Sequence, residues 1–571
     1  MIIFRIILTL FFLSFGFNQE QQNKKIKNKP IFSNSESTQD YLDLLEKSLD
    51  LLRVNYVDSI NESEVILSGI KGMLKPLDPY TKLLMDQSKE SFDLLKTGKY
   101  GGIGVQIGLR RDTLTVLSIY ENSPAYSEGL NVGDNIMMVD SVSTKGLSLK
   151  ESSALIKGEI DSIVTLDVYR SSTKENIKFE FKRSNIKIEH VPYWGVNTDG
   201  IGYIRITRFS KNSAKDFKNG LKELNEKGLK SLIIDLRSNS GGLLSSAINI
   251  LDNLTARGDT LLIQKGKTNR ANKVWTSRRS PILSMDTPIV VLINRKSASA
   301  SEIVAGTIQD LDRGVVIGQK SFGKGLVQHL YDLNDTTTLK VTTAKFYLPS
   351  GRLIQKQDYL DNGFLTDGLD KRDSVFVTKN GRVVKGGGGI TPDLNTIPNQ
   401  YSGFVNALWK DKVFLTFASD YAPKNLWLKD KLEKNLSIPN RVVRSFKEFV
   451  TEYSLIFNVY GEVDFGKIKE KIERNSISIN KGSNNVSFSS SNSVLMEIDN
   501  YFNKIKQLQF GLHDNQKQIK NGLLREFCRI FFNDKKRIEV SLINDVEYNK
   551  AISILSGKLK EYNDIIDVNK K

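Results

Sequence analysis

The 571-residue sequence is poor in the residues that cross-link chains or bind soft metal ions. It contains one cysteine, Cys528, and three histidines, His190, His329 and His513. A single cysteine cannot form a disulfide within the chain, and so few soft ligands argue against a structural zinc site. A Ser-His-Asp enzyme has few candidate bases here, and nothing implies a metal or another cofactor.

Long apolar runs are also scarce. The run IILTLFFLSFGF at residues 6–17 follows Arg5 and precedes a polar segment, and it is too short for a comfortable membrane span. This arrangement predicts a signal peptide over residues 1–17 and an exported protein in the periplasm or cell envelope of a bacterium. An uncleaved anchor is the alternative. No cysteine follows the run, which excludes lipid attachment at a cysteine there.

Positive charge is in excess, with 82 Lys and Arg against 65 Asp and Glu and a formal net charge of +17. This balance suits nucleic acid or an anionic membrane surface as a partner. The lysines are scattered rather than clustered, which favours a basic solvated surface instead. We therefore expect no nucleic acid partner, and association with the cell envelope stays open.

Local patterns divide the rest of the chain into four regions. Apolar residues three and four apart predict a helical N-terminal region at 38–97, and strand-like alternation with glycine turns predicts a β-rich module at 98–183. Continuous apolar runs alternate with helices at 184–400, which is typical of an α/β core. Residues 401–571 are mainly helical and basic, and they contain no motif that we can name.

The segment GQKSFGKG, residues 318–325, differs from a phosphate-binding P-loop at its last position. Gly325 stands where a P-loop has the Ser or Thr that ligates magnesium. A P-loop also opens a helix, whereas GLVQHLYDL after Lys324 alternates like a strand. The pattern therefore predicts a different task for Lys324.

A serine-rich turn lies between the buried strand PIVVLIN and a helix, in the segment NRKSASASEIVAG. A serine at such a turn projects its hydroxyl clear of the backbone, and the next residue's N–H can donate to an oxyanion. Ser297, Ser299 and Ser301 are thus candidate nucleophiles, and spacing alone does not choose among them. The alternative is a helix cap, since Ser299 and Glu302 form a capping-box pattern.

Lys324 is the candidate base for such a serine. A lysine accepts a proton only if burial lowers its pKa from ~10.4 toward ~7–8. If the chain after it is a strand, Lys324 and Gln328 share one face and His329 points to the other, so Gln328 would orient the amine. The alternative is a solvated surface lysine.

The segment DLRSNSGG ends another buried strand, where α/β proteins place their sites. The N–H groups of Gly241 and Gly242 have no side chain beside them, so they suit an oxyanion hole. An ordinary turn before a helix is the alternative.

These segments together resemble the carboxyl-terminal processing, or tail-specific, proteases of serine peptidase family S41. The resemblance spans about residues 40–395 and includes the segments DPYTKLL, GGIGVQI, SPAYSEGLNVGDNIMMVD, DLRSNSGG, KSASASEIVAG, VIGQKSFGKGLVQ, FYLPSGRLIQ and GITPDL. It implies an α/β protease core of crotonase-like ββα layers, with an inserted β-rich PDZ domain and helical N- and C-terminal regions.

The resemblance also implies residue roles. It selects Ser299 as the nucleophile, Lys324 as the base and Gln328 as the third member of the catalytic site. The oxyanion hole would use the N–H of Ala300 and that of Gly241 or Gly242. The implied activity is endopeptidase cleavage through an acyl-enzyme.

The β-rich module resembles a PDZ domain, and its segment YGGIGV matches the loop that binds a chain's terminal carboxylate. The peptide-binding loop residues would be Gly101, Gly102, Ile103, Gly104 and Val105. Successive N–H groups in such a loop bind the carboxylate, and an extended peptide adds as a strand beside it. The partners implied are protein or peptide substrates, bound through their C-termini. An adaptor or self-association stays open.

Two other functions stay open at this point. One is a PDZ scaffold on an inactive protease fold, which would predict loss of Ser299, Lys324 or Gln328, yet all three are present. The other is binding of nucleic acid or an envelope polymer by the helical region 401–571.

The sequence also departs from the family at Asp161-Ser162, where a Gly-Thr pair is frequent, and this puts the local turn in doubt.

Overall fold

The protein is described by a computed structural model over residues 37–356, 374–479, 489–557 and 559–567. The chain divides into two compact units, residues 1–76 and residues 77–571. The predicted signal peptide at 1–17 lies outside the described residues. None of the described helices combines the length and apolar character needed to cross a membrane.

The described part of the first unit consists of two helices, α1 (Thr38–Asn55) and α2 (Glu62–Leu74). Ser37 caps α1 in a capping box with Asp40, and Asn61 caps α2. No residue of α1 is buried. The two helices predicted here from the apolar spacing are confirmed.

The second unit contains the remaining elements. Its helices are α3 (Asp86–Thr97), α4 (Pro124–Ser127), α5 (Leu149–Ile156), α6 (Ser213–Glu226), α7 (Leu244–Leu251), α8 (Ala300–Asp310), α9 (Gly403–Lys410), α10 (Val413–Tyr421), α11 (Trp427–Lys434), α12 (Asn440–Tyr453), α13 (Glu462–Ile479), α14 (Ser489–Leu508), α15 (His513–Phe531), α16 (Asp534–Leu542), α17 (Val546–Leu555) and α18 (Lys560–Ile566). Its strands are β1 (Lys82–Met85), β2 (Lys99–Gly102), β3 (Val105–Arg110), β4 (Thr113–Ile119), β5 (Asn135–Val139), β6 (Val142–Ser143), β7 (Ile163–Arg170), β8 (Glu175–Lys182), β9 (Ser184–Lys187), β10 (Tyr193–Val196), β11 (Ile201–Arg205), β12 (Ser231–Asp235), β13 (Thr260–Gly266), β14 (Lys273–Thr276), β15 (Ile289–Ile293), β16 (Val315–Gly318), β17 (Leu326–Asp332), β18 (Thr337–Tyr347), β19 (Val375–Val377), β20 (Val383–Lys385) and β21 (Leu394–Asn395).

The core contains a six-stranded sheet in the order β10-β11-β12-β15-β16-β21. All neighbours pair in parallel except β10 and β11. Every residue of β12, β15 and β16 is buried, because helices cover both faces of the sheet. This explains why these strands are continuous apolar runs rather than alternating ones.

The two faces of this sheet pack against different helices. Ile234 and Val291 face a cluster that includes residues of α6, α7 and α8. Ile233 and Val290 face the opposite cluster, which contains Leu542 of α16 and residues of α17 and α18. Helices α16, α17 and α18 therefore complete the core, because without them one face of an apolar sheet would be open to water.

A second core sheet is antiparallel, in the order β1-β18-β13-β14, with β17 also pairing with β18. The strand predicted after Lys324 is confirmed as β17, which forms an antiparallel hairpin with β18. The region 38–97 was expected to be helical, and here the structure differs, because Lys82–Met85 forms strand β1. This segment pairs with β18, and that pairing is a contact distant in sequence that a local pattern does not show.

The inserted module is a six-stranded antiparallel sheet in the order β3-β4-β5-β7-β8, with β6 beside β5. Its core packs β-strand residues such as Leu114 and Val164 against Ile156 of α5. Asp161, at the departure from the family pattern, has φ 71°. This left-handed conformation explains why glycine is favoured there, and the turn still forms. The predicted fold class is confirmed.

Candidate active site

Ser299 lies between the end of β15 and the first residue of α8. Its backbone adopts φ 54° and ψ −113°, which is an unfavourable conformation for a residue with a side chain. Such strain at a strand-to-helix turn is typical of an exposed nucleophile. Ser299 is also partly exposed, so its hydroxyl is accessible to a substrate.

The two neighbouring serines have structural contacts instead. Ser297 and Ser301 are fully buried. The Ser297 hydroxyl donates to the carbonyl of Leu236 at 2.8 Å, and the Ser301 hydroxyl donates to the carbonyl of Asn239 at 2.8 Å. These bonds join the serine turn to the loop after β12, and they favour Ser299 among the three candidates.

Glu302 connects the serine turn to the lysine loop. Its side chain is fully buried, and one oxygen, Oε2, accepts the N–H groups of Ser299 at 2.7 Å and of Lys324 at 2.8 Å. The other oxygen, Oε1, accepts the Ser321 hydroxyl at 2.5 Å and the Gly323 N–H at 2.6 Å. Burial raises the pKa of Glu302, and these four donors oppose the rise. The sequence suggested only a helix cap for this residue, and the capping-box pattern was its sole signal.

Lys324 is largely buried under an aromatic ring. Its Nζ lies 4.4 Å from the centroid of the Tyr80 ring. Burial lowers the pKa of Lys324 to about 8, and the positive charge of Lys340 lowers it too, while the carboxylates of Asp78 and Glu302 act in the opposite direction. The expected fall in this pKa is confirmed. The role of Lys324 as a base remains a prediction.

The contact expected between Gln328 and Lys324 is not formed in this structure. Strand β17 begins at Leu326, so Lys324 lies in the preceding loop and strand periodicity does not apply to it. Nε2 of Gln328 donates to Oγ1 of Thr342 at 3.4 Å, and this hydroxyl donates to Oδ1 of Asp78 at 3.2 Å. Gln328 is thereby connected to the turn that contains Asp78.

The two candidate oxyanion-hole glycines differ in their surroundings. A Cβ atom on Gly241 would lie 2.9 Å from Cβ of Ser299 and 3.1 Å from N of Ala300, so this loop directly adjoins the nucleophile turn. Gly241 is buried, and its N–H donates to Oδ1 of Asn239 at 2.9 Å. Gly242 is exposed. The structure therefore favours Gly242 over Gly241 as the partner of Ala300.

The predicted peptide-binding loop joins β2 to β3. Gly101 and Gly102 belong to β2, while Val105 begins β3. The Ile103 side chain is fully buried in the module core, and its carbonyl accepts the N–H of Ala125 at 2.9 Å. Any contact between Ile103 and a peptide is therefore made by its backbone.

A strand edge lies beside this loop. Among the described strands, β3 lies at the edge of its sheet and pairs with β4 alone. Gly104, next to it, has φ 83° and lies so close to Ser123 that a Cβ atom would approach within 2.2 Å. This combination of a glycine turn and an unpaired edge suits addition of a peptide strand.

A separate cavity of about 830 Å³ lies between the PDZ-like module and the C-terminal helices. Its lining includes Tyr120, Arg170, Arg525 and Asp534, but neither Ser299 nor Lys324. It is therefore distinct from the site described above. Over the described ranges, no group of three His, Cys, Asp or Glu residues is arranged to hold a metal ion.

Comparison with known families agrees with this architecture. The model described as "Peptidase family S41" matches residues 200–363, and that described as "PDZ domain" matches residues 101–180. A third, "Probable PDZ-protease, C-terminal helical domain", matches residues 404–555. This last match assigns the helical region after residue 400, which contains no motif that we can name.

The alignments of this chain with three curated relatives each span most of the relative's own length. Carboxy-terminal processing protease CtpB of Bacillus subtilis (strain 168) is 30% identical over 386 residues, 65% of this chain and 79% of that protein. The carboxy-terminal-processing protease of Bartonella bacilliformis is 33% identical over 57% of this chain and 74% of its own. The carboxyl-terminal-processing protease of a Synechocystis species is 34% identical over 54% and 72%. The chain therefore belongs to the carboxy-terminal processing proteases, the PDZ-containing serine peptidases of family S41.

Proposed function

We propose that this protein is an exported serine endopeptidase that binds the C-terminal tail of protein substrates through its PDZ domain and cleaves them with Ser299 and Lys324. The observation that carries the proposal is the acceptor shared by these residues. The N–H groups of both donate to Oε2 of Glu302, while the pKa of Lys324 falls to about 8. A lysine whose pKa lies near neutral pH, beside a strained serine turn, suits nucleophilic catalysis.

The first chemical step is attack by Ser299 Oγ on the scissile carbonyl. The hydroxyl proton passes to the neutral amine of Lys324 as the C–O bond forms. The carbonyl oxygen becomes an oxyanion, which the N–H groups of Ala300 and Gly242 stabilise. Lys324 then donates its proton to the leaving amine as the C–N bond breaks, and an acyl-enzyme ester remains on Ser299.

Water completes the reaction. Lys324 accepts a proton from the water as its oxygen attacks the ester, and the same backbone N–H groups receive the second oxyanion. Collapse of this intermediate breaks the ester bond, returns the proton to Ser299 and releases the new C-terminus. Gln328 donates to Thr342 and thereby supports the region around Lys324.

The PDZ domain supplies substrate selection. The terminal carboxylate binds to successive N–H groups of the loop Gly101–Val105, and the tail adds as a strand along the open edge of β3. Export places this activity in the periplasm or cell envelope. The apolar run at residues 6–17 supports that location.

A cleavage assay on a denatured protein with an apolar C-terminus tests the catalytic assignment. We expect Ser299→Ala and Lys324→Arg each to lower kcat/KM by roughly 10³-fold or more, since the arginine keeps the charge but cannot act as a base. Ser245→Ala and Lys320→Arg change exposed residues near the site and are the matched controls. If Ser299→Ala cleaves at the wild-type rate, Ser299 is not the nucleophile. If neither the wild type nor Ser299→Ala cleaves, the protein acts as a binding scaffold instead.

Tail recognition and export have separate tests. A peptide with a free C-terminal carboxylate should bind the full chain at least about tenfold more tightly than its amide, because the amide lacks the charge that the N–H nest receives. Equal affinity would contradict PDZ-dependent selection. Cell fractionation with N-terminal sequencing of the mature protein tests export, and an intact N-terminus in the cytoplasm would contradict it.

A further inference from the structure

Tyr80 lies in a tightly organised turn just before β1. One oxygen of the Asp78 carboxylate accepts the N–H groups of Tyr80 at 2.8 Å and of Thr81 at 2.9 Å. The other oxygen accepts the Thr81 hydroxyl at 2.7 Å. Three hydrogen bonds to one side chain give this turn a defined shape, so the backbone of Tyr80 is held in place.

The turn is fixed to the same strand that pairs with β17. The N–H of Thr342 in β18 donates to the Thr81 hydroxyl at 3.0 Å, and the Thr342 hydroxyl donates to Asp78 at 3.2 Å. Strand β1 then continues along β18, with Lys82 directly opposite Lys340. The turn is therefore anchored beside the loop that carries Lys324.

The Tyr80 ring covers the amine of Lys324, with Nζ 4.4 Å from the ring centroid. Among the described residues, the amine forms no hydrogen bond beside this ring contact, and no carboxylate lies within 4.0 Å of it. Burial raises the pKa of the Tyr80 phenol, and the charges of Glu302 and Asp78 raise it too. The phenol therefore stays protonated at neutral pH.

We propose that Tyr80 is a positioning residue for the base: its ring holds the Lys324 amine in place and excludes water from that side of it. This rests on the proposed function, in which Lys324 takes the proton of Ser299. The ring has two opposing electrostatic effects. Its face attracts the protonated amine, and its bulk keeps water away, which disfavours the protonated form.

Burial is the largest influence on the pKa of Lys324, and it lowers that pKa. We therefore expect exclusion of water by the ring to outweigh the attraction. Other charges also act on this amine. Lys340 in β18 and Lys82 in β1 lower its pKa, whereas Asp78 in the turn and Glu302 in α8 raise it. None of these groups replaces the cover that the ring provides. Loss of the ring should therefore move the pKa of the base upward.

The test is the pH dependence of kcat/KM for the full chain, measured on the wild type, Tyr80→Phe, Tyr80→Ala and Tyr331→Ala. Tyr331 is exposed on β17 and serves as the matched control. We expect Tyr80→Ala to shift the acidic limb of the kcat/KM profile upward by about one pH unit. Activity should be roughly tenfold lower at neutral pH and should recover in alkaline buffer. Tyr80→Phe and Tyr331→Ala should keep the wild-type limb.

Tyr80→Leu provides a second variant if the alanine does not fold. Leucine keeps apolar cover but lacks the attraction of an aromatic face, so its limb should lie at or below that of the wild type. A limb that rises in Tyr80→Leu, or a pH-independent loss in Tyr80→Ala that phenylalanine does not rescue, would overturn the proposal. If the wild type and Ser299→Ala cleave alike, the proposed function itself has failed. That result does not depend on the pH profiles of the Tyr80 variants, so the two failures can be distinguished.

Discussion

Ser299 and Lys324 donate their backbone N–H groups to the same oxygen of Glu302, at 2.7 and 2.8 Å. A buried carboxylate with two donors on each oxygen holds the surrounding backbone firmly, because each lost bond would leave a buried polar group unpaired. The serine turn and the lysine loop are therefore fixed relative to one another by backbone contacts, and these contacts do not involve the hydroxyl of Ser299 or the amine of Lys324.

Glu302→Gln should weaken both stability and catalysis. A glutamine has the same size, but it turns one NH₂ group toward N–H or O–H donors and leaves them without an acceptor. We expect a loss of about 2–4 kcal/mol in the free energy of unfolding and a more than tenfold fall in kcat/KM. Urea unfolding and the cleavage assay measure the two effects.

The control for this change is Glu180→Gln, at an exposed position of β8. It should alter the free energy of unfolding by less than about 0.5 kcal/mol. An equally small effect of Glu302→Gln would show that the four hydrogen bonds do not join the two loops energetically.

Lys340→Gln should make the base harder to deprotonate. The positive charge of Lys340 lowers the pKa of Lys324, so its removal raises that pKa from about 8. A smaller fraction of the enzyme then carries a neutral base at neutral pH. We expect the acidic limb of the kcat/KM profile to move upward and the plateau at high pH to be unchanged.

Lys178→Gln in the PDZ domain removes an exposed charge far along the chain and is the control for this experiment. A downward shift of the limb in Lys340→Gln, or an equal upward shift in both variants, would contradict a local charge effect on Lys324.

Lys324→Met should stabilise the protein while abolishing cleavage. The pKa of Lys324 is about 8 in the folded chain against 10.5 for an ordinary lysine. Between these values the unfolded chain binds more protons, so stability rises with pH across this window. Below this pH window, the folded protein carries a protonated, poorly hydrated amine, and the full cost in free energy of unfolding is present.

We therefore expect Lys324→Met to raise the free energy of unfolding by about 1–3 kcal/mol at pH 7. The difference from the wild type should shrink between about pH 8 and pH 10.5, because the wild-type amine loses its charge there. Chemical denaturation at several pH values measures this, and a difference that is constant with pH would count against the lowered pKa.

Arg237→Ala should detach the C-terminal helices from the core sheet. Its guanidinium contacts Asp235 at the end of β12 at 2.7 Å, Asp545 at 2.8 Å and Glu547 of α17 at 2.6 Å. Asp235 is fully buried, and loss of one partner from a buried ionic group costs about 3–5 kcal/mol.

Arg279→Ala is the matched surface variant, since Arg279 is 70% exposed and lies 3.6 Å from Asp252. It should change the free energy of unfolding by no more than about 1 kcal/mol. Equal effects of the two variants in chemical denaturation would mean that the ionic network does not hold α17 on the sheet.

Much of this architecture follows from local patterns. The run LII in β12 and the run IVVLI in β15 are apolar at every position, and both strands are buried on two faces. A small-residue turn after such a strand predicted where a nucleophilic serine would lie, because a strand followed directly by a helix leaves little choice of backbone path. The resemblance to the family, not the spacing, selected Ser299 among the three serines. The low pKa of Lys324 was predicted from the chemistry that a base requires.

Other features depended on contacts between distant segments. Gln328 was expected to contact Lys324, but the strand starts two residues after the lysine and Gln328 bonds to Thr342 instead. The sequence did not indicate that the Tyr80 ring lies over the Lys324 amine, because the turn that contains Tyr80 is fixed by a contact with β18. The sequence likewise gave no role to the helical region after residue 400, whereas the structure shows that its last three helices cover one face of the core sheet.

By itself, the sequence determined the order of the elements, the family of the chain and the few residue types capable of the chemistry, because these depend on neighbours along the chain. Only the tertiary structure decided which serine of three stays accessible, which glycine N–H is already engaged, and how Glu302 joins the serine and lysine loops. Those outcomes depend on which groups meet across the fold, and hydrogen-bond partners and burial exist only once the chain has packed.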